Sequence, residues 1–190
     1  HYDVASKILM ETCRDEIIRY FAGIEVEEST LIEELPQETV SLKRSDFLVM
    51  VTGKSGQKEL IIFELQTNWD REVPMSLLDH RTRYHLKYKI DPISFIILLR
   101  PSANALDIYE NNEVRFVYRL VKVYEIDARE IVERGPFCLL PFVPVMKQGR
   151  ELLDEADNLI YASERSRVEK ADLLTSMAIL SGIVSNDLPA

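Results

Sequence analysis

Residues 43–70 read "KRSDFLVMVTGKSGQKELIIFELQTNWD", and this stretch decides the fold. Phe47–Thr52 and Glu59–Gln66 are rich in Val, Ile, Leu and Phe, and "GKSGQ" between them supplies the two glycines a short hairpin loop needs. The reading is a pair of antiparallel strands. Polar groups nevertheless stand where the apolar pattern should continue: Asp46 opens the first run, and Glu64 and Gln66 close the second. In an antiparallel hairpin, the position numbers of directly paired residues share one sum. A loop centred on Ser55 therefore pairs Asp46 with Glu64, and a loop centred one residue later pairs Asp46 with Gln66. Either register brings Asp46 within cross-strand reach of the Glu64 and Gln66 face, roughly 4.5–5.5 Å between Cβ atoms for a direct pair. Phe63 and Leu65 point to the other face.

Two carboxylates this close repel each other at neutral pH unless one holds a proton or a cation lies against both. Mg²⁺ prefers carboxylate oxygens and keeps several waters, which suits phosphate chemistry. Gln66 beside them could orient a water without adding charge. The plain alternative is a solvent-exposed strand end whose carboxylates only aid solubility.

Outward from the hairpin, "YDVASKILMETCRDEIIRYFAG" carries Ile8, Leu9, Cys13, Ile17, Ile18 and Phe21 at helical spacing, with Gly23 as the stop. The acidic segment that follows reads as a connection, with a short strand at Thr39–Leu42. Pro74 suits the first turn of a helix running to about Ile90. Ile93–Leu99 is apolar on both faces, as a buried central strand is. "PSANALDIYENN" reads as a loop, and "EVRFVYRLVKVYEI" as one long strand or two with a bend. "DAREIVERG" is a short capped helix, and "PFCLLPFVPVM", with three prolines, an irregular packed segment. Two helices close the chain, about Gln148–Ala162 and Glu164–Ile183. The order describes an α/β protein, a mixed sheet with helices on its faces.

The totals bound the function. A chain of 190 residues, 46% apolar and 29% charged, suits a globular protein with a real core. No apolar run is long enough to span a bilayer, so no membrane partner is expected; the opening residues, from His1, show no secretion signal. Cys13 and Cys138 lack metal-like spacing, and the expectation is two buried free thiols in a reducing cytoplasm. The net charge is −9, unevenly spread. Residues 1–40 hold ten Asp/Glu against three Lys/Arg, and 151–190 hold eight against three, whereas 43–100 hold seven against ten. A basic middle can meet phosphate despite an acidic total, because binding responds to the local field.

The "SDF" before the hairpin and the "IIFELQ" that ends it, on this order of elements, resemble the PD-(D/E)xK nuclease superfamily. Asp46 matches the Asp of its motif, Glu64 the Asp/Glu, and Gln66 the position usually held by Lys. More specifically, "YDVASKILME", "ELQTNWD", the Arg- and Tyr-bearing helix after it and "FCLLPFVPVM" are similar to the recombination-promoting nuclease and putative transposase family, over residues 2 to about 150. The resemblance implies a restriction-endonuclease-like mixed β-sheet flanked by helices over residues 1–147, with a C-terminal helical extension over 148–190. It further implies Mg²⁺ (or Mn²⁺)-dependent cleavage of DNA phosphodiesters, with Asp46, Glu64 and the Leu65 carbonyl as metal ligands and Gln66 as the third catalytic position. Gln lacks the charge a Lys would bring to the transition state. Members of the superfamily often add a carboxylate from the first helix; Glu11, Asp15 and Glu16 are the candidates, with Glu16 preferred. Many such nucleases pair up to cut both strands, which makes a homodimer an expectation.

In "LLDHRTRYHLKYK", Arg81, Tyr84 and Tyr88 share a helical face. Arg81 could fork onto a phosphate and Tyr88 could hydrogen-bond the DNA backbone. Ordinary packing explains them equally: half-buried tyrosines, and Arg81 paired with a nearby acid. His80 and His85 read as surface residues, and Trp69 as packing. The rival functions are a nuclease fold that binds nucleic acid but cuts weakly or not at all, and an interaction protein in which the carboxylates are incidental.

Overall fold

The structure is a computed structural model, and it describes residues 2–32 and 46–185. Its elements in chain order are α1 (Tyr2–Thr12), α2 (Arg14–Ile17), a π-turn (Ile18–Ala22), β1 (Glu28–Ile32), β2 (Asp46–Thr52), β3 (Lys58–Gln66), α3 (Val73–Tyr88), β4 (Ile93–Leu98), β5 (Ile108–Glu110), β6 (Arg115–Val117), β7 (Arg119–Lys122), α4 (Ala128–Arg134), α5 (Leu153–Ala162) and α6 (Arg167–Ser185). They fall into two compact units, residues 24–121 and residues 1–23 with 122–190. This division differs from the 1–147 and 148–190 partition expected from sequence. The physical reason is that α6 packs on α1 and on the 137–145 segment, so the terminal helices and the first helix share one core.

The 24–121 unit is built on the hairpin. A five-stranded mixed sheet runs in the order β1-β2-β3-β4-β7. The β1–β2 and β2–β3 pairs are antiparallel, and α3 carries the chain across to β4, which lies parallel to β3. The α/β class, a mixed sheet with helix α3 packed on it, is therefore present in this unit. The hairpin loop closes through Gly53 N–H to Gln57 O and Gly56 N–H to Gly53 O, both 2.9 Å. Gly56 sits at φ +79°, a conformation that a side chain would strain. On one face Leu48, Leu60, Ile62 and Ile96 are buried with Val73 and Leu77 of α3 and with Phe116 and Tyr118. Phe63 and Phe95 stack on the other, centroids 5.3 Å apart.

Three strand readings change. Glu28–Ile32, read as connection, is edge strand β1; half exposed, it lacks the apolar alternation that marks a strand. Ile108–Glu110, read as loop, pairs with β6 in a small second sheet. The region read as one long strand or two is two, β6 and β7, parted at Tyr118, whose hydroxyl donates to Leu106 O at 2.5 Å. The strand expected at Thr39–Leu42 lies outside the described residues.

In the other unit, Asp127 caps α4 by accepting from Arg129 N–H at 2.9 Å. The proline-rich segment is a 3₁₀ run, Phe137–Val145, with Cys138–Val145 buried. The free-thiol reading is corrected: Cys13 and Cys138 form a disulfide, joining positions 125 residues apart. Cys13 falls at the break between α1 and α2, a place spacing alone could not match to Cys138. The correction removes the premise on which a reducing cytoplasm was expected. Among the described residues no helix is long and apolar enough to cross a membrane. A Cβ on Gly149 would stand 1.7 Å from the Val143 carbonyl oxygen, which is backbone and cannot swing away. Gly149→Ala is therefore expected to cost about 1–3 kcal/mol, seen as a lowered melting temperature.

Candidate functional site

Everything needed to build the site lies at one end of the hairpin in the 24–121 unit. The loop selects the register that pairs Phe47 with Phe63 and Leu48 with Ile62, and it sets Asp46 directly opposite Glu64. Both side chains thus stand on the face that carries Leu48, Leu60 and Ile62, where the apolar pattern gives out. Glu64 is 7% exposed. A carboxylate so buried normally has every oxygen satisfied. Here Oε1 accepts from Gln66 Nε2 at 2.8 Å, while Oε2 is buried without a partner among the described residues.

Burial pushes the Glu64 carboxyl up to about 7, the Asp46 charge opposite adds to the rise, and the Gln66 hydrogen bond opposes it. Glu64 therefore changes charge near neutrality, which ordinary carboxylates do not. The solvent-exposed, merely solubilising strand end is the alternative this geometry disfavours.

Helix α3 supplies a residue that the sequence reading placed on the surface. His80 Nδ1 stands 3.1 Å from Asp46 Oδ2, with side chains 11% and 23% exposed. The separation is that of an ion pair or hydrogen bond, yet the ring nitrogen lies off the line a hydrogen bond requires. The available signal was spacing. His80, Tyr84 and Tyr88 recur every four residues, and their rings follow one another at 6.3 and 6.5 Å along the helix. Tyr84 and Tyr88 pack against the apolar cluster, so the histidine on their stripe faces inward too.

The remaining candidates separate. Leu65 is buried in β3, paired with Ile97 of β4. Arg81 is 3.8 Å from Asp91 and one-third exposed, and His85 Nδ1 is 2.9 Å from the same carboxylate. The packing reading of this helix is thus present, and Arg81 keeps an exposed edge. Trp69 packs against the apolar cluster. Glu16 belongs to the other unit, where its Oε2 accepts from Cys138 N–H at 2.8 Å and its Oε1 is 3.8 Å from Arg165. Glu11 pairs there with Lys7 at 3.8 Å.

No group of three or more His, Cys, Asp or Glu among the described residues forms a ready metal cage. Mg²⁺ does not require such a group: it commonly takes one or two carboxylates and completes its shell with water and phosphate. The orphaned Oε2 of Glu64, the residue paired with Asp46, is the feature a cation would satisfy. Compared with protein-family models, curated proteins and solved structures, the chain finds no match.

Proposed function

We propose that the Asp46–Glu64 pair holds Mg²⁺ or Mn²⁺ and that the protein is a metal-dependent endodeoxyribonuclease. One observation carries the reading: two carboxylates opposed across a hairpin, with a buried oxygen of one left unpartnered. The resemblance to the PD-(D/E)xK superfamily rests in part on the order helix, strand hairpin, helix, strand, strand, and the chain has these elements in that order, with β1 added before the hairpin. When bound, the cation would polarise the scissile phosphate and lower the pKa of a water. The chain's residues do the rest. Asp46 and Glu64 supply the negative charge, with the Leu65 carbonyl as a third oxygen. Gln66 holds Glu64 by its Oε1 and so aims Oε2. Arg81 and Tyr88, on the helix that bears His80, are the proposed contacts to the DNA backbone. Mobile-element or recombination biology is the setting the resemblance suggests, and pairing of two copies would allow cuts in both strands.

A second reading, nucleic-acid binding without efficient cutting, is favoured by Gln66. Its amide is spent on Glu64 and brings no positive charge to the reaction. Plasmid cleavage in Mg²⁺ separates the two: nicking by the wild type that Asp46→Ala abolishes supports the enzyme, and DNA binding with no nicking supports the module.

Cation binding should also depend on pH in a defined direction. Glu64 must shed its proton to bind, and in the free protein it does so only at about 7. Saturating Mg²⁺, at about 100 times its dissociation constant, would raise stability by about 2.7 kcal/mol. At fixed Mg²⁺ the gain in melting temperature is expected to be larger at pH 8 than at pH 6, and absent in Asp46→Ala.

A further inference from the structure

We propose that His80 is the positioning residue of this site, fixing the Asp46 carboxylate so that one of its oxygens faces Glu64. The inference rests on the cation site proposed above. One oxygen of each carboxylate has a polar neighbour: Gln66 Nε2 donates to Glu64 Oε1 at 2.8 Å, and His80 Nδ1 stands 3.1 Å from Asp46 Oδ2. The symmetry has a chemical sense. A carboxylate held by one oxygen presents the other in a fixed direction, and two such carboxylates on paired strand positions present a defined pair of oxygens to a cation.

The two anchors differ in origin. Gln66 is local, two residues along the same strand, whereas His80 comes from α3, the crossover helix between β3 and β4. The same helix buries Leu77 in the apolar cluster one turn before His80. Packing of α3 on the sheet is thereby coupled to the aim of Asp46. His80 Nδ1 is buried, and among the described residues it has no hydrogen-bond partner that meets full geometry; Asp46 at 3.1 Å is the acid beside it. Hydrogen bonds at functional sites are often poorly aligned until the ligand is bound. Partners that orient a ligating group in this way typically account for 10–100-fold in metal affinity.

Two variants of the full chain separate positioning from packing. His80→Phe keeps a ring beside Tyr84 and removes the donor. His80→Asn puts an amide nitrogen near the place of Nδ1. Mn²⁺ affinity is read by isothermal titration calorimetry, with circular dichroism as the check of folding. The expected result is a loss of about 10–100-fold in Mn²⁺ affinity for His80→Phe, recovered in large part by His80→Asn. Should His80→Phe fail to fold, His80→Gln carries the same expectation of loss, since its amide extends toward the place of Nε2. Wild-type affinity in a folded His80→Phe or His80→Gln overturns the positioning role and leaves the cation site standing. A wild-type protein that binds Mn²⁺ no better than Glu64→Ala overturns both.

Discussion

Glu64→Gln is expected to yield a folded protein that lacks the proposed DNA cleavage and is more stable than the wild type above pH 7. The two effects share one cause. Glutamine has the shape of glutamate, and its Oε1 can go on accepting from Gln66 Nε2, so the hairpin end keeps its packing. What disappears is the ionisable group. In the wild type the carboxyl ionises at about 7 in the folded protein, against 4.5 for an ordinary glutamate. Between those values the folded state holds a proton that the unfolded chain has released. This contribution to stability is fully present below 4.5 and is lost as pH rises through 7, with a total of about 3 kcal/mol. The variant, neutral throughout, keeps it. Denaturation at pH 8 should therefore favour Glu64→Gln by up to about 3 kcal/mol, and at pH 4 the two proteins should be alike. As the metal ligand proposed above, Glu64 should count for more than a supporting partner, whose loss typically costs up to a hundredfold, so the proposed plasmid nicking should fall by more than about 100-fold. A variant that cleaves at the wild-type rate would remove Glu64 from the reaction. Equal stability at pH 8 would mean that its carboxylate is well solvated.

The second large effect concerns the unit formed by residues 1–23 and 122–190. Reduction of the Cys13–Cys138 disulfide is expected to lower stability by about 2–4 kcal/mol. The bond joins positions 125 residues apart, so in the unfolded chain it closes a long loop. In the native state little depends on it locally. Ile17 N–H still reaches Cys13 O at 3.0 Å across the break, and Glu16 accepts from Cys138 N–H. Both sulfur-bearing residues are buried, where thiols pack as small apolar groups. The expected outcome is a folded reduced protein with a lower denaturation midpoint. The Cys13→Ala/Cys138→Ala double variant should share that lower midpoint and be insensitive to reductant. Identical midpoints for the wild type with and without reductant would show that the sulfurs are not bonded.

Much of the hairpin was legible because its rules are local. Runs rich in Val, Ile, Leu and Phe mark each strand, two glycines mark the loop, and the pairing sum leaves two registers; the loop geometry chooses the one that opposes Asp46 to Glu64. Helix α3 was legible from Pro74, and β4 from a run apolar on both faces. Other features depend on what lies far away in sequence. Strand β1 has one edge on β2 and a half-exposed pattern, so only its neighbour reveals it. Strand β5 is three residues long and exists by pairing with β6. The disulfide needs the fold to bring its halves together. His80 is the instructive miss in the site. Read as a surface residue, it stands at four-residue spacing from Tyr84 and Tyr88, but only the placement of α3 over the sheet shows that its face meets Asp46. Gln66 was read as a residue that orients a water, and the structure finds its amide on Glu64.

The most direct measurement is a crystal grown or soaked in millimolar Mn²⁺ at pH 8, with anomalous scattering recorded to locate the metal. A single peak bridging Asp46 and Glu64 Oε2, at about the 2.1 Å reach of a Mg²⁺-type oxygen site, is the predicted result. Crystals in which that position carries no anomalous density, while Glu64 remains tucked against Gln66 with its other oxygen still unmatched, would contradict the account.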